Sequence, residues 1–306
     1  MKILTILTAV LLFLTSCTEV EPDGGAYYTF TDDCGVTVSL AEKPEKTAVL
    51  FSSYAEIWTL AGGDVEITVG EAVERGFAPD GVTLADEGAG KTVNIETLIA
   101  AEPDFVIASA DIEAQADAAQ LLNNAGIPCA SFRMESFGDY LRMLEICCDI
   151  TGNADAYETY GTSVQAEIDE VLASVREKAE KRILFIRAGS SVRSTKAKTA
   201  DQHFAAAMLE ELGAYNIADN APVLIDGLSM EEIMTENPDA VFITTMGDEN
   251  AAVGYMNTQL DSPEWQTLDA VKSGRVYYLP KALFQFKPNH RWADAYRMLT
   301  ELLYEN

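Results

Sequence analysis

The chain reads as an α/β fold of two lobes, each with a mostly parallel, Rossmann-like sheet, joined by a single long α-helix. Three features predict it: one long amphipathic stretch, a repeat that brackets that stretch, and strand patterns alternating with helix patterns on either side. Alternation of this kind implies parallel sheets covered by helices on both faces.

The long stretch is 153–180. Its apolar residues Tyr157, Tyr160, Val164, Ile168, Val171, Leu172, Val175 and Ala179 recur at steps of three and four, which places them on one helix face. Gly152 stops the preceding segment and Asn153 suits an N-cap. At about 1.5 Å per residue the helix would run roughly 40 Å. The repeat pairs Val93-Asn-Ile-Glu-Thr-Leu-Ile-Ala-Ala-Glu-Pro-Asp-Phe-Val-Ile-Ala-Ser109 with Leu228-Ser-Met-Glu-Glu-Ile-Met-Thr-Glu-Asn-Pro-Asp-Ala-Val-Phe-Ile-Thr244, without a gap. Each copy is a capped helical turn stopped by Pro103 or Pro238, then Asp and an apolar strand. Two copies, one on each side of the helix, predict two similar lobes.

In chain order, 1–17 reads as a leader. Lys2 precedes an apolar run, Ile3 to Leu14, too short to span a bilayer comfortably, and Leu14-Thr15-Ser16-Cys17 follows. That ending resembles a bacterial lipobox, which implies lipidation of Cys17 and a membrane attachment made only through lipid. Residues 18–26, rich in Glu, Pro, Asp and Gly, read as a tether. The N-terminal lobe is 27–152. It opens with a hairpin around Asp32-Asp33-Cys34-Gly35, then a buried strand 47–51, a helix 53–61 and a short strand 67–70. Irregular chain follows over 71–91, then the first repeat copy, a helix 112–124, a strand 127–131 and a helix 137–150. The C-terminal lobe is 181–306: strand 182–186, a polar loop 189–199, helix 202–212, the second repeat copy, strand 276–279 and a closing helix 288–304.

Composition narrows the function. The chain has 49 acidic and 21 basic residues and a net charge of −28, which disfavours nucleic acid and anionic membrane surfaces as partners. Cys34, Cys129, Cys147 and Cys148 show no C-x-x-C spacing and read as thiols buried in the core, with a disulfide left open. Catalytic motifs are missing: there is no G-x-S-x-G elbow, H-E-x-x-H helix or Walker loop, and only His203 and His290 as histidines. So thin an inventory argues against an enzyme, and two histidines are too few to predict a bare transition-metal site.

Binding has a clearer signal. The window 181–200 holds Lys181, Arg182, Arg187, Arg193, Lys196 and Lys198 and no acid. A second acid-free window, 276–293, sets Lys281, Lys287, His290 and Arg291 beside Phe284, Phe286 and Trp292. Ligands of open α/β sheets sit beyond the carboxyl ends of the strands, where Arg187, Arg193, Lys196 and Lys198 are expected. The cleft set expected from sequence is therefore these four with Phe286, Lys287, His290 and Arg291, joined by Tyr54, Arg75 and Lys91 from the first lobe.

Taken in order, Pro44-Glu-Lys-Thr-Ala-Val-Leu-Phe-Ser-Ser-Tyr-Ala-Glu56, both repeat copies and Trp265-Gln-Thr-Leu-Asp-Ala-Val-Lys-Ser-Gly-Arg-Val-Tyr277 resemble the substrate-binding lipoproteins of bacterial ABC importers for ferric siderophores, haem and cobalamin. The resemblance runs from about Thr29 to Tyr304 and implies the class III periplasmic-binding-protein fold. It also implies an extracytoplasmic, lipid-anchored monomer without a cofactor. Its ligand would be an iron chelate or another metal-containing macrocycle, delivered to a permease dimer driven by a cytoplasmic ATPase. By the same resemblance Glu96 and Glu231 meet arginines of the two permease subunits, although acids in a first helical turn also suit the helix dipole. Haem would call for an axial ligand such as His290 or Tyr54, and cobalamin for aromatic stacking by Phe286 and Trp292. Arg and Lys favour anionic chelates, because guanidinium forks grip paired oxygens. A secreted surface enzyme without a recognisable motif is the reading from another class.

Overall fold

The computed structural model describes residues 25–86 and 92–305. The expected leader with Cys17, the tether up to residue 24, and Lys91 lie outside the described residues.

The first lobe begins with a hairpin of β1 (Tyr28–Thr31) and β2 (Thr37–Leu40). Asp32 shapes its turn by accepting from the backbone N–H groups of Cys34 and Val36 at 3.0 and 2.8 Å. Its other oxygen accepts from Ser131 N at 2.9 Å, which ties the hairpin to the sheet. There follow β3 (Thr47–Val49), α1 (Ser52–Leu60), β4 (Ile67–Thr68), α2 (Gly70–Glu74), β5 (Thr83–Leu84), α3 (Ile95–Ala101), β6 (Phe105–Ser109), α4 (Glu113–Asn124), β7 (Cys129–Phe132) and α5 (Phe137–Thr151). Ser136 and Asp139 form a capping box at the start of α5. The five strands β3 to β7 are parallel, in the order β5-β4-β3-β6-β7.

The second lobe contains β8 (Lys181–Ala188), β9 (Lys196–Ala197), α8 (Phe204–Glu211), β10 (Ala214–Asn216), α9 (Pro222–Asp226), α10 (Met230–Glu236), β11 (Ala240–Thr245), α11 (Glu249–Leu260), α12 (Asp269–Lys272), β12 (Val276–Tyr278), α13 (Lys281–Phe284) and α14 (Trp292–Tyr304), preceded in the rod by α6 (Ala154–Tyr157) and α7 (Ser163–Val175). Its parallel order is β10-β8-β11-β12, with β9 antiparallel on the end of β8. The lobes therefore share a strand order: β4-β3-β6-β7 in one matches β10-β8-β11-β12 in the other, with β5 added to the first.

The sequence repeat accounts for the match at atomic level. α3 and α10 both end on a non-glycine residue in the left-handed region, Glu102 at φ 48° and Asn237 at φ 40°. In each copy the Asp after the proline then clamps the start of the neighbouring strand. Asp104 accepts from the backbone N–H groups of Glu45 and Lys46 at 2.8 and 3.0 Å, and its own N–H donates to Lys46 O. Asp239 accepts from Arg182 N at 2.9 Å and donates to Arg182 O at 2.7 Å. The Pro-Asp pair thus sets the register of β6 on β3 and of β11 on β8.

The rod differs from the expected uninterrupted helix in two ways. Between α6 and α7 the turn widens to a π-helical segment, Glu158–Thr162. The Tyr160 carbonyl there accepts from the Tyr140 hydroxyl at 2.9 Å. Gly161 lies close beneath α5, where an added Cβ would come within 3.1 Å of Leu141. Close approach by α5 and an outside donor for a carbonyl are the circumstances in which such a bulge persists. The rod also stops at Val175 instead of 180. Ala179, the last apolar residue of the predicted stripe, is exposed, so nothing beyond Val175 is gained by burying another turn.

Other departures from the sequence expectation are local. The stretch read as irregular contains α2 and β5, and the polar loop contains β9. The helix α11 was not expected, because only Ala252 and Met256 of its residues are buried and it carries almost no apolar stripe. The four cysteines are free; three are buried as expected, but Cys34 is exposed on the hairpin turn. Burial pushes the Cys148 thiol up to about 11 and the Cys129 and Cys147 thiols higher still.

The two Asp clamps should be energetically similar. Asp104→Ala and Asp239→Ala are each expected to lower the unfolding free energy by about 1 kcal/mol, the usual net worth of hydrogen bonds at partly exposed sites. Urea denaturation checks this; a clamp whose loss leaves the midpoint unchanged has no part in holding the register.

Candidate ligand cleft

The carboxyl ends of both sheets face the space between the lobes. From the first lobe, the chain leaving β3 enters α1 through Phe51 and Ser52, and the chain leaving β4 enters α2. From the second, β8 delivers Arg187 and the chain after β12 delivers Phe286 to His290.

On the first lobe the focus is Glu56, a buried acid on a helix whose other inward residues are apolar or small. Arg75, at the end of α2, approaches it at 3.6 Å and donates to Ser52 Oγ and Ser53 Oγ at 2.9 and 3.2 Å. Its guanidinium also stacks on Phe77 of its own lobe and on Phe286 of the other, 4.7 and 4.1 Å from the ring centroids. Burial lowers the Arg75 pKa, an effect opposed by Glu56 and Glu71.

The second lobe reaches back to the same carboxylate. Asn289, fully buried and at φ 53°, donates from Nδ2 to Ser53 O and to Glu56 Oε2, both at 2.8 Å. His290 Nδ1 lies 3.2 Å from Glu56 Oε1, an ion-pair separation without the alignment of a hydrogen bond. Lys287 adds a second bridge, donating to Glu135 Oε1 at 3.0 Å after β7. Beneath these contacts Trp292 packs edge-on against Phe137 of the first lobe and Phe204 of the second.

A cationic cluster lies on the second lobe. Arg187 on β8 and Lys196 on β9 are direct cross-strand partners. Lys198, whose N–H donates to Phe185 O at 3.0 Å, continues that register and so shares their sheet face. Like charges placed directly opposite on a sheet repel, and among the described residues no acid forms an ion pair with any of the three. Burial lowers the Lys198 pKa, Arg187 and Lys196 lower it further, and Asp201 opposes them. Arg187 Nε is buried without an acceptor among the described residues. The turn between β8 and β9 is tight enough to require Gly189, where a Cβ would fall 2.4 Å from Ser194 Oγ.

His203 sits at the centre of this charge. Its ring packs 4.8 Å from Phe185, and its Nδ1 accepts from Ala205 N at 3.2 Å to cap α8. Burial pushes its pKa down to about 3, helped by Lys287, Arg187 and Lys198. The imidazole is therefore neutral at any physiological pH. Lys287, 4.9 Å from the Phe204 ring, connects the cluster to the cross-cleft bridge.

Of the residues expected in the cleft, Arg75, Arg187, Lys196, Lys198, Phe286, Lys287 and His290 occupy these two connected networks. Tyr54 does not: it is 1% exposed, packed edge-on to Phe51, and its hydroxyl donates to Phe132 O at 3.0 Å. It is a core residue because its position on α1 faces the sheet. Arg193 is exposed at the β8–β9 turn, and Arg291 is exposed and engages Asp294 on its own helix at 3.3 Å. Sequence reasoning did not find Glu56, Asn289, His203 or Glu135. A lone acid within the apolar run of α1 was the one available signal for Glu56; the others depend on tertiary placement. Glu96 and Glu231 are both exposed, in the first turns of α3 and α10.

Comparison with known proteins agrees with this architecture. A sequence profile described as periplasmic binding protein matches residues 47–283. The chain belongs to that family and has its class III fold, and the family implies an extracytoplasmic setting. A comparison with curated protein sequences finds no match. Among solved structures, the siderophore-binding protein BauB, bound to two acinetobactin molecules and ferric iron, superposes with a TM-score of 0.72 at 15% identity, covering 91% of this chain and 99% of its own. An ABC transporter substrate-binding protein from Listeria monocytogenes EGD-e gives 0.71 at 18% identity, covering 87% and 100%. The apo periplasmic heme-binding protein RhuT from Roseiflexus sp. RS-1 gives 0.68 at 20% identity, covering 85% and 98%. At these identities the similarity establishes the fold.

The depressed His203 pKa has a measurable consequence. Below the ordinary histidine pKa of about 6.5 the unfolded chain takes up a proton that the folded chain refuses until about pH 3, so stability falls through that window. Between pH 7 and pH 5 the wild type should lose about 2 kcal/mol more than His203→Asn, which keeps an N-cap acceptor. Equal losses in urea titrations at the two pH values would mean that His203 protonates freely in the folded state.

Proposed function

We propose that the protein captures an anionic iron chelate, a ferric siderophore, between its lobes and delivers it to a dimeric ABC permease driven by a cytoplasmic ATPase. The observation that carries the reading is the gathering of Arg187, Lys198 and Lys287 around a neutral His203, with Lys196 opposite Arg187 on the sheet, in a chain of net charge −28. Cations held together at a cost are explained by a ligand that removes the cost. Carboxylate or catecholate oxygens around a ferric ion supply that charge, and Arg187 offers a buried, unpartnered donor to meet one. Arg75 and Phe286 would close on the ligand from opposite lobes.

Haem is the second reading, supported by the fold shared with RhuT. Burial of Tyr54 removes one of its two expected axial ligands, and His290 is engaged with Glu56. Corrinoid binding would draw on Phe286 but leaves the cationic cluster unused. Glu96 and Glu231 are the proposed contacts to the two permease subunits, and Cys17 is the proposed lipid anchor.

A thermal-shift panel of carboxylate and catecholate ferric siderophores, haem and cobalamin tests the ligand class on the chain from residue 27. An anionic ferric chelate at 100 times its Kd should add about 2.7 kcal/mol. Stabilisation by haem or cobalamin alone contradicts the reading. For the anchor, Cys17→Ala should accumulate unprocessed precursor; a variant that still incorporates labelled palmitate contradicts lipidation at this residue.

A further inference from the structure

Lys287 belongs to two arrangements at once. It is one of the cations around His203 on the second lobe, and it forms the ion pair that crosses to Glu135 of the first lobe at 3.0 Å. Arg187, Lys196 and Lys198 have no ion-pair partner among the described residues. Of the cations read as the ligand site, Lys287 is therefore the one that already holds a carboxylate.

The two ends of that pair are unequal. The Lys287 side chain is 15% exposed, and its ammonium also lies 4.9 Å from the centre of the Phe204 ring. Pro288 follows it and disfavours helical backbone at Lys287, which holds the residue in place. The Glu135 side chain is 56% exposed. Its backbone is fixed, because its N–H donates to Asp139 Oδ2 at 2.9 Å beside the capping box of α5. Its carboxylate, however, pairs with no cation other than Lys287 among the described residues. Asp33 and Asp111, close by at Arg133, are by contrast paired within their own lobe, to Arg142 and Arg133.

A mostly buried ammonium facing a mostly exposed carboxylate is a cation whose partner is easily exchanged. The carboxylate regains water as soon as it swings away, whereas Lys287 left alone lacks an acceptor. Resting on the ligand reading above, we infer that Glu135 is an internal stand-in for the ligand: its carboxylate occupies the place on Lys287 that a carboxylate of the ferric chelate takes, and the chelate binds by displacing it. Glu135 thereby sets specificity. An anion with one carboxylate only exchanges one weak pair for another, whereas a chelate with several also reaches Arg187, Lys196 or Lys198 and gains more than the displacement costs.

Isothermal titration of ferric citrate into the wild type, Glu135→Ala, Lys287→Gln and the double variant tests this. Glu135→Ala should bind ferric citrate roughly three- to fivefold more tightly, the worth of one exposed ion pair. Its melting temperature should be retained, because the side chain is exposed. In the Lys287→Gln background the same substitution should leave affinity unchanged, since no ammonium remains to compete for. Unchanged or weaker binding by Glu135→Ala overturns the inference. So does a gain that persists in the Lys287→Gln background, which is the general effect of removing a negative charge. Either result, with Lys287→Gln alone still weakening binding, leaves the cationic cluster standing as the ligand site. If ferric citrate binds none of the proteins, the carboxylate class of ligand falls and the displacement with it.

Discussion

One apolar stripe on the rod is buried by both lobes at once, and the rest of the molecule depends on it. Val164, Ile168 and Val175 belong to the same continuous core as Tyr140 and Leu144 of the first lobe and Tyr296, Leu299 and Leu303 of the second. Each such side chain contributes about 1.5–3 kcal/mol by leaving water. The contacts that cross the cleft are of another kind. Lys287 to Glu135 is a partly exposed ion pair, and pairs of that sort contribute roughly 0–1 kcal/mol. When the lobes move, the cross-cleft polar contacts yield first and the rod core last. A ligand that closes the lobes is therefore expected to tilt them slightly about the rod, whose irregular segment is the π-helical turn at Glu158–Thr162.

The Glu56 network occupies an intermediate position. Its carboxylate is buried and receives Arg75 from its own lobe and Asn289 and His290 from the other. A buried carboxylate stripped of its partners is costly, so this contact defines how the lobes meet at the base of the cleft. Arg75 also stacks on Phe286 of the other lobe, and the cationic face of β8 and β9 belongs to the second lobe.

Features local in sequence were legible from sequence. The rod was readable from its spacing, the duplicated unit from Pro103-Asp104 and Pro238-Asp239, and the grouping of Arg187, Lys196 and Lys198 on one lobe from a window lacking acid. What was not legible depends on which face of an element meets which neighbour. Tyr54 lies in a motif beside Ser53, yet its side chain points into the sheet while the serine points to Arg75. Asn289 is one residue from the predicted His290, but its role rests on a left-handed backbone and a glutamate from the other lobe. The end of the rod at Val175 follows from the absence of anything for Ala179 to pack against, which periodicity does not report.

The charge arrangement links fold to function. Arg187 and Lys196 are held opposite one another by strand register, and Lys198 and Lys287 are brought to the same neutral histidine by separate elements. Arg187, Lys196 and Lys198 carry this repulsion with no ion-pair partner among the described residues, and the proposed ligand would relieve it. Isothermal titration of a ferric tricarboxylate chelate into the wild type and into the Lys198→Gln, Lys287→Gln variant measures it directly. Loss of two cations from the site should weaken binding at least 100-fold, about 2.7 kcal/mol, and flatten its dependence on salt. Equal affinity in the two proteins would contradict the assignment of this cluster as the ligand site.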